Sequence, residues 1–396
     1  AAGLAAGLVA GRQRRRAGGR QQRAQVVAVA AETDAVAYDF SCAFPFSAVV
    51  GQDEAKLALL LNLVDPVIGG VLIQGERGTG KSTAVRALVR LLPEIACVSG
   101  DKYNSDPNDI STMSEECRER ALKGEDLPVV MARTPFVELP LGATEDRVTG
   151  TIDIERALLE GGKAFEPGIL ARVNRGILYI DEVNLLDDQL VDVLLDSAAG
   201  GWNTVEREGV SVRHPARFVL VGTAHPDEGD LRPQLLDRFG LTISIRTAND
   251  AESRFQVLNR TSEWNSAPAK LEARFAAQDE ALKGRILDAR ARLKDVQIAR
   301  ALKVKISNVC SRLNVDGLRG DIVTNRTARA LAAFEGRTEV SEDDVLRVAV
   351  LCLQHRLRKN VVSDTVDNGT RVAQELFQEF GKGPPAAVPL QQAAEA

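Results

Sequence analysis

The chain has 396 residues, 44% hydrophobic and 27% charged, enough to bury a sizeable core as two domains with tails. No run of about 18 uncharged apolar residues occurs, so no segment reads as a membrane-spanning helix. The net charge is −5; residues 1–31 hold six arginines and no acid, which leaves the remainder at −11, a poor electrostatic footprint for nucleic acid.

In chain order, residues 1–31 combine Ala, Gly and Arg and run into Val26-Val27-Ala28-Val29-Ala30-Ala31, which has the composition of an organelle transit peptide near its cleavage site. Residues 1–35 are therefore set apart as a disordered leader. Ala48-Val49-Val50-Gly51-Gln52, before a helical stretch at 53–62, is an apolar-Gly-Gln box of the kind that packs on adenine. A buried strand is expected at 70–74 and a helix at 83–92. Between them Gly75-Glu76-Arg77-Gly78-Thr79-Gly80-Lys81-Ser82 is a complete phosphate-binding loop, G-x-x-x-x-G-K-S. Its glycines let backbone N–H groups turn inward around phosphates, Lys81 reaches the terminal phosphates, and the Ser82 hydroxyl ligates Mg²⁺. The chain is thus expected to bind a nucleoside triphosphate, with ATP and Mg²⁺ as cofactors.

Residues 93–135 are richer in turns and read as an insertion, with a loop at 104–109 and a short helix at 114–123. A helix is expected at 151–160, with Gly161-Gly162 and Pro167-Gly168 turning a hairpin-like excursion. Residues 176–182 read as a buried strand ending in two acids; a helix at 191–199 and a second buried strand at 217–222 follow. Apolar strands alternating with helices predict an α/β fold, a parallel sheet covered by helices, over residues 36–250. Helical periodicity at 270–315, 324–335 and 341–358 predicts a separate helical domain over 251–362, where Ser341 reads as an N-cap followed by first-turn acids. Residues 363–396 are assigned to a partly disordered tail.

Asp181 and Glu182 lie 100 residues after Lys81 and supply the second half of a hydrolytic site. Asp181 is expected to hold Mg²⁺ through its water shell, and Glu182 to orient and polarise the attacking water. Leu231-Arg232-Pro233-Gln234-Leu235-Leu236-Asp237-Arg238-Phe239-Gly240 carries two arginines. In a ring ATPase such an arginine reaches the neighbouring subunit's γ-phosphate, while the plainer alternative is an Asp237–Arg238 salt bridge capping a helix. Arg319, in Gly317-Leu318-Arg319-Gly320-Asp321, offers another basic contact to phosphate. None of the five cysteines has zinc spacing, and an odd count argues against a full disulfide framework. Cys310 and Cys352 bracket Arg319 and could form a redox pair, two buried thiols being the simpler reading. His214 and His355 read as solvent or packing residues.

Together these features resemble an AAA+ ATPase. Tyr103-Asn104-Ser105-Asp106-Pro107, Leu139 through Val148, Asp181 through Asp188, Gly201 through Gly209 and Leu318 through Arg326 are similar to the I subunit of magnesium chelatase over residues 38–362. The resemblance implies an AAA+ P-loop domain with a C-terminal helical lid, and an ATP-driven homo-hexameric ring. It further implies a larger D-type partner and a porphyrin-binding H-type subunit that inserts Mg²⁺ into protoporphyrin IX, in the chloroplast stroma. By the same carry-over Lys81 and Ser82 bind phosphate and Mg²⁺, Arg238 is the trans finger with Arg232 beside it, and Arg319 is the second sensor, acting in cis or in trans.

One departure stands out. Where the family has Gly-Asn-Pro-Glu-Glu-Gly, this chain has Ala224-His225-Pro226-Asp227-Glu228-Gly229, so His225 replaces the first-sensor Asn that helps to position the attacking water. A neutral imidazole donates one hydrogen bond with a different reach from a carboxamide. Nucleotide binding is expected to survive with altered turnover, as in a regulatory isoform that pads the ring. A MoxR-like remodelling ATPase is the rival within the fold.

Overall fold

The computed structural model describes residues 43–152, 165–207, 210–229, 231–247, 250–357 and 368–385. Helix α1 (Asp53–Val64) leads into strand β1 (Val71–Gly75) and helix α2 (Lys81–Ala87). The insertion holds β2 (Glu94–Val98), α3 (Glu115–Leu122) and β3 (Val129–Arg133). Next come β4 (Phe136–Leu139), α4 (Glu145–Thr149), β5 (Gly150–Ile152), β6 (Phe165–Pro167), α5 (Ile169–Arg172) and β7 (Ile177–Ile180). Helix α6 (Asp188–Gly200), the hairpin β8 (Trp202–Arg207) and β9 (Val210–Pro215), β10 (Val219–Ala224), α7 (Pro233–Arg238) and β11 (Leu241–Ile245) complete the α/β part.

The central sheet has five parallel strands in the order β11-β1-β10-β7-β4. Every residue of β7 and β10 is buried, because helices cover both faces of the sheet. One face sends Val71, Ile73, Tyr179, Val221 and Ile243 toward α1, α2 and the helical domain. The other sends Leu72, Leu178, Ile180 and Leu220 toward α5, α6 and Phe239. Each such side chain contributes roughly 1.5–3 kcal/mol on burial. The sequence reading located β1, β7 and β10 and passed over β4 and β11. Those two carry polar residues, Glu138 in one and Thr242 and Ser244 in the other, which break the apolar run.

The helix expected at 151–160 is corrected at its start. Thr151 and Ile152 belong to β5, paired antiparallel with β6 in the register Thr151↔Glu166, and the rest of that expectation lies outside the described residues. The backbones approach so closely that a Cβ on Gly150 would lie 2.6 Å from the Glu166 carbonyl oxygen. The leader at 1–35, Gly161-Gly162 and the chain beyond 385 also lie outside the described residues.

The helical domain comprises α8 (Ala251–Ser266), α9 (Pro268–Arg292), α10 (Arg300–Arg312), α11 (Arg319–Phe334), α12 (Glu342–Leu353) and α13 (Asn368–Phe380) among the described residues. Its core residues Ile286, Leu331 and Leu346 are continuous with the apolar cluster on one face of the sheet. Helix α13 falls in the stretch assigned to the tail. It packs through Val372 and Leu376, spaced i, i+4, and Arg312 of α10 pairs with its Glu375 and Glu379 at 3.2 and 2.5 Å.

Ser341 caps α12 as expected, in a reciprocal capping box with Asp344. Asp344 is 1% exposed and also accepts 2.5 and 2.7 Å bonds from Arg337. Asp344→Ala removes the side-chain arm of the capping box that accepts the Ser341 N–H and strips Arg337 of two of its bonds, leaving it to Glu335 and the Glu339 carbonyl, so we expect a loss of about 2 kcal/mol, measured by urea denaturation. An unchanged midpoint would contradict that assignment.

Candidate active site

The parallel strands deliver the site residues at their C-terminal ends, where ligands of open α/β sheets bind. Leaving β1, the chain turns through Gly78 and Gly80 at φ 77° and 81°, a region in which glycine carries no Cβ penalty. Lys81 Nζ folds back over the loop and donates to the carbonyls of Gly75 at 2.5 Å and Glu76 at 2.8 Å. Burial lowers the Lys81 pKa, opposed by the nearby carboxylates of Asp181 and Glu182. Thr79 Oγ1 donates to the Glu76 carbonyl at 2.9 Å, and Glu76 accepts from Thr247 at 2.8 Å. Gln52 sits in the left-handed region at φ 54° and donates through Nε2 to the Thr79 carbonyl at 2.6 Å. It therefore braces the phosphate loop, while its buried Oε1 has no partner among the described residues and remains an acceptor for a ligand.

Strand β7 leads directly into Asp181, and Ser82 Oγ lies 3.0 and 3.1 Å from its two carboxylate oxygens. Oδ1 also accepts from Tyr179 at 2.8 Å and from Thr223 at 2.5 Å. Burial by itself would raise the Asp181 pKa, but the hydroxyls of Thr223, Tyr179 and Ser82 outweigh it and hold the carboxyl below its ordinary value. Arg86 of α2 grips Glu138 of β4 with two bonds of 3.2 and 2.7 Å and lies 3.9 Å from Asp181. Glu182 is held at φ 57°, ψ 59°, a conformation that costs a non-glycine residue roughly 1–3 kcal/mol. Its N–H donates to Thr223 at 3.0 Å, and its carboxylate makes no hydrogen bond or ion pair among the described residues.

His225 follows β10 and is 9% exposed. Its Nδ1 accepts the Asp227 N–H at 3.1 Å, so a neutral ring carries its proton on Nε2 as a donor. An Asn side chain caps a turn in the same way, with its oxygen accepting and its nitrogen left to donate, but the imidazole donor stands one bond farther from Cγ. Glu228 in the same turn pairs with Arg77 of the phosphate loop and accepts from Asn184 at 3.3 Å. Three loops are thus clasped across the site.

The three expected arginines do not converge on this loop within one chain. Arg232 pairs with Asp188 and, at 3.7 Å, with Asp192 of α6. The Asp237–Arg238 pair does not form: Asp237 pairs with Arg356 and, at 3.4 Å, with Arg319. The Arg238 side chain has no hydrogen bond or ion pair among the described residues, and its carbonyl accepts from Arg319 at 3.1 Å. A Cβ on Gly69 would lie 3.7 Å from the Arg319 guanidinium, which sets Arg319 at the N-terminal end of β1. The phosphate loop leaves the other end, on the order of 15 Å away along a strand of this length.

His214 is a packing residue, stacked on Tyr103 at 5.2 Å and held by Asn203 at 3.0 Å. His355 lies against the Phe239 carbonyl at 3.1 Å, and burial together with Arg356 lowers its pKa to about 3. Cys310 and Cys352 are buried free thiols, and burial raises the Cys352 pKa to about 11. Sequence reasoning missed Arg86, Glu138, Tyr179, Asn184, Thr223 and Glu228. For Tyr179 and Thr223 a signal existed: each is a polar group two residues before a functional one on an apolar strand, hence on the same face.

The family model for magnesium chelatase, subunit ChlI, matches residues 150–235, and that for the AAA lid domain matches residues 303–376. The chain is 61% identical over 337 residues to the magnesium-chelatase subunit ChlI of Cyanophora paradoxa, covering 85% of this chain and 96% of that one. It is also 61% identical to the chloroplastic ChlI subunit of Chlamydomonas reinhardtii, covering 85% and 81%. A crystal structure of a proposed ATPase from Cytophaga hutchinsonii, 19% identical with a TM-score of 0.55 over 83% of this chain and 90% of that one, shares the fold. With this depth of likeness over most of its length, the chain belongs to the magnesium-chelatase ChlI family, the ATPase motor subunits of the enzyme that inserts Mg²⁺ in chlorophyll biosynthesis.

Proposed function

We propose that the chain hydrolyses ATP at the boundary between subunits of a homo-hexameric ring. Through a D-type partner, the resulting motion drives an H-type subunit to insert Mg²⁺ into protoporphyrin IX in the chloroplast stroma. The inserted Mg²⁺ is substrate, distinct from the Mg²⁺ that accompanies the nucleotide. The observation that carries this reading is the Ser82 hydroxyl 3.0 Å from Asp181, beside the unengaged carboxylate of Glu182. The plastid setting is supported by relatives named as chloroplastic.

The residues present fit Mg²⁺ and ATP. Ser82 and Asp181 offer hard oxygen donors, the loop glycines open a cradle, and the partnerless Gln52 Oε1 faces a ligand as an acceptor. Ser82 and Asp181 would hold the ion, which when bound would supply positive charge against that developing on the phosphates in the transition state. Lys81 exchanges its two carbonyl partners for phosphate oxygens. Glu182 orients the attacking water, with His225 Nε2–H donating from the facing strand. Arg238, with Arg319 bound to its carbonyl, serves the next subunit's phosphates, because Arg319 stands at the wrong end of β1 to reach its own. Arg232 holds the finger helix α7 against α6. Mixing the chain with D-type and H-type subunits, porphyrin, Mg²⁺ and ATP is expected to give metallated product, and Lys81→Ala none; product formed equally by both would overturn the reading.

His225 is expected to act as a competent donor. His225→Ala should lower kcat by about 10²-fold, whereas His225→Asn, which keeps both the turn cap and a donor, should turn over at least as fast as the parent. Steady-state ATPase rates decide this, and a parent-like alanine variant would remove His225 from the machinery.

A further inference from the structure

Thr223 lies one strand away from the acid pair, is 0% exposed, and has a hydroxyl that makes two bonds of opposite sense. Its proton goes to Asp181 Oδ1 at 2.5 Å, and its lone pair takes the Glu182 N–H at 3.0 Å. A hydroxyl has one proton to give, so the two bonds satisfy each other's polarity without competition. Both bonds reach consecutive residues whose side chains must point in different directions, one toward the metal side and one toward the water. The first bond joins that from Tyr179 on Oδ1, which Ser82 also reaches at 3.0 Å, while Oδ2 faces Ser82 at 3.1 Å and Arg86 at 3.9 Å. The second pins the peptide of a non-glycine residue in the left-handed region, where it would otherwise relax.

We infer that Thr223 is a positioning residue for hydrolysis: one buried hydroxyl sets the carboxylate rotamer of Asp181 and the backbone conformation that aims Glu182. The inference rests on the reading of Asp181 and Glu182 as the hydrolytic acids. Because Thr223 also precedes His225 by two residues on β10, a shift of that strand moves the water-orienting acid and the sensor together. The register Val221↔Tyr179 and Gly222↔Ile180 is the rigid frame that makes the coupling direct.

Thr223→Val keeps shape and removes the hydroxyl; Thr223→Ser keeps the hydroxyl and removes the methyl. Thr223→Val is expected to lose about 10²-fold in kcat with KM for Mg²⁺-ATP within about threefold of the parent, and Thr223→Ser to recover to within about threefold. Equilibrium binding of a fluorescent ADP analogue and a thermal melt check that the valine chain is folded; if it is not, Thr223→Ala is read against Thr223→Ser in its place. Parent-like kcat in the hydroxyl-free chain, or a serine variant as slow as the valine one, overturns the inference. Glu182→Gln is run alongside: if that variant hydrolyses ATP at the parent rate, it is the reading of the acid pair that fails.

Discussion

Glu182→Gln is expected to bind ATP as tightly as the parent chain and to hydrolyse it about 10²–10⁴ times more slowly. The substitution is isosteric, and the Glu182 side chain has no protein partner among the described residues whose loss would disturb the fold. Its N–H to Thr223 is a backbone bond and survives the change. What disappears is the anionic oxygen that polarises water. The check is single-turnover hydrolysis beside equilibrium nucleotide binding. A variant that hydrolyses at the parent rate would show that Glu182 is not the water-orienting group, and one that fails to bind would assign it to the binding cradle.

Arg238→Ala should lower turnover by about 10³–10⁵-fold while leaving the chain's own nucleotide affinity intact. The reason is the division of labour across the sheet: α7 ends near the start of β11 and β1, whereas the phosphate loop leaves the far end of β1. A finger that works in trans makes a further demand. Lys81→Ala chains keep the finger and lack the loop lysine; Arg238→Ala chains keep the loop and lack the finger. Each alone is expected to be inactive, and mixing them should restore part of the ATPase rate, because some boundaries pair an intact loop with an intact finger. Mixed assemblies, verified by native mass spectrometry, that stay inactive would contradict the trans assignment.

The phosphate loop was legible in the sequence because each of its residues is required by local chemistry: φ above zero at Gly78 and Gly80, a cation at Lys81, a hydroxyl at Ser82. The acid pair was legible because an apolar strand ending in two carboxylates has few other uses beside such a loop. Gln52 was only half legible. The glycine-glutamine box marked its neighbourhood, but its bond to the Thr79 carbonyl depends on how α1 and the loop meet. Thr223, Arg86, Glu138 and Glu228 were not legible, because their contacts lie 42, 52, 52 and 151 residues away in the chain. The same holds for Asp237. Adjacency suggested a pair with Arg238, whereas the fold brings Arg356 from the helical domain to it, 119 residues away.

Local chemistry by itself determined that this chain carries a nucleotide loop, a carboxylate pair at a strand end and a segment with two arginines after the next strand. It also determined that an α/β part precedes a helical one, since hydrophobic period and turn residues act over a few positions. Tertiary structure decided which of those groups share a cleft. It gave Thr223 to Asp181 and Glu182, and set Arg319 beside Arg238 at the sheet end remote from the phosphate loop. Strand order and packing fix those meetings, because parallel strands adjacent in the sheet come from distant parts of the chain and no local pattern encodes which neighbours they take.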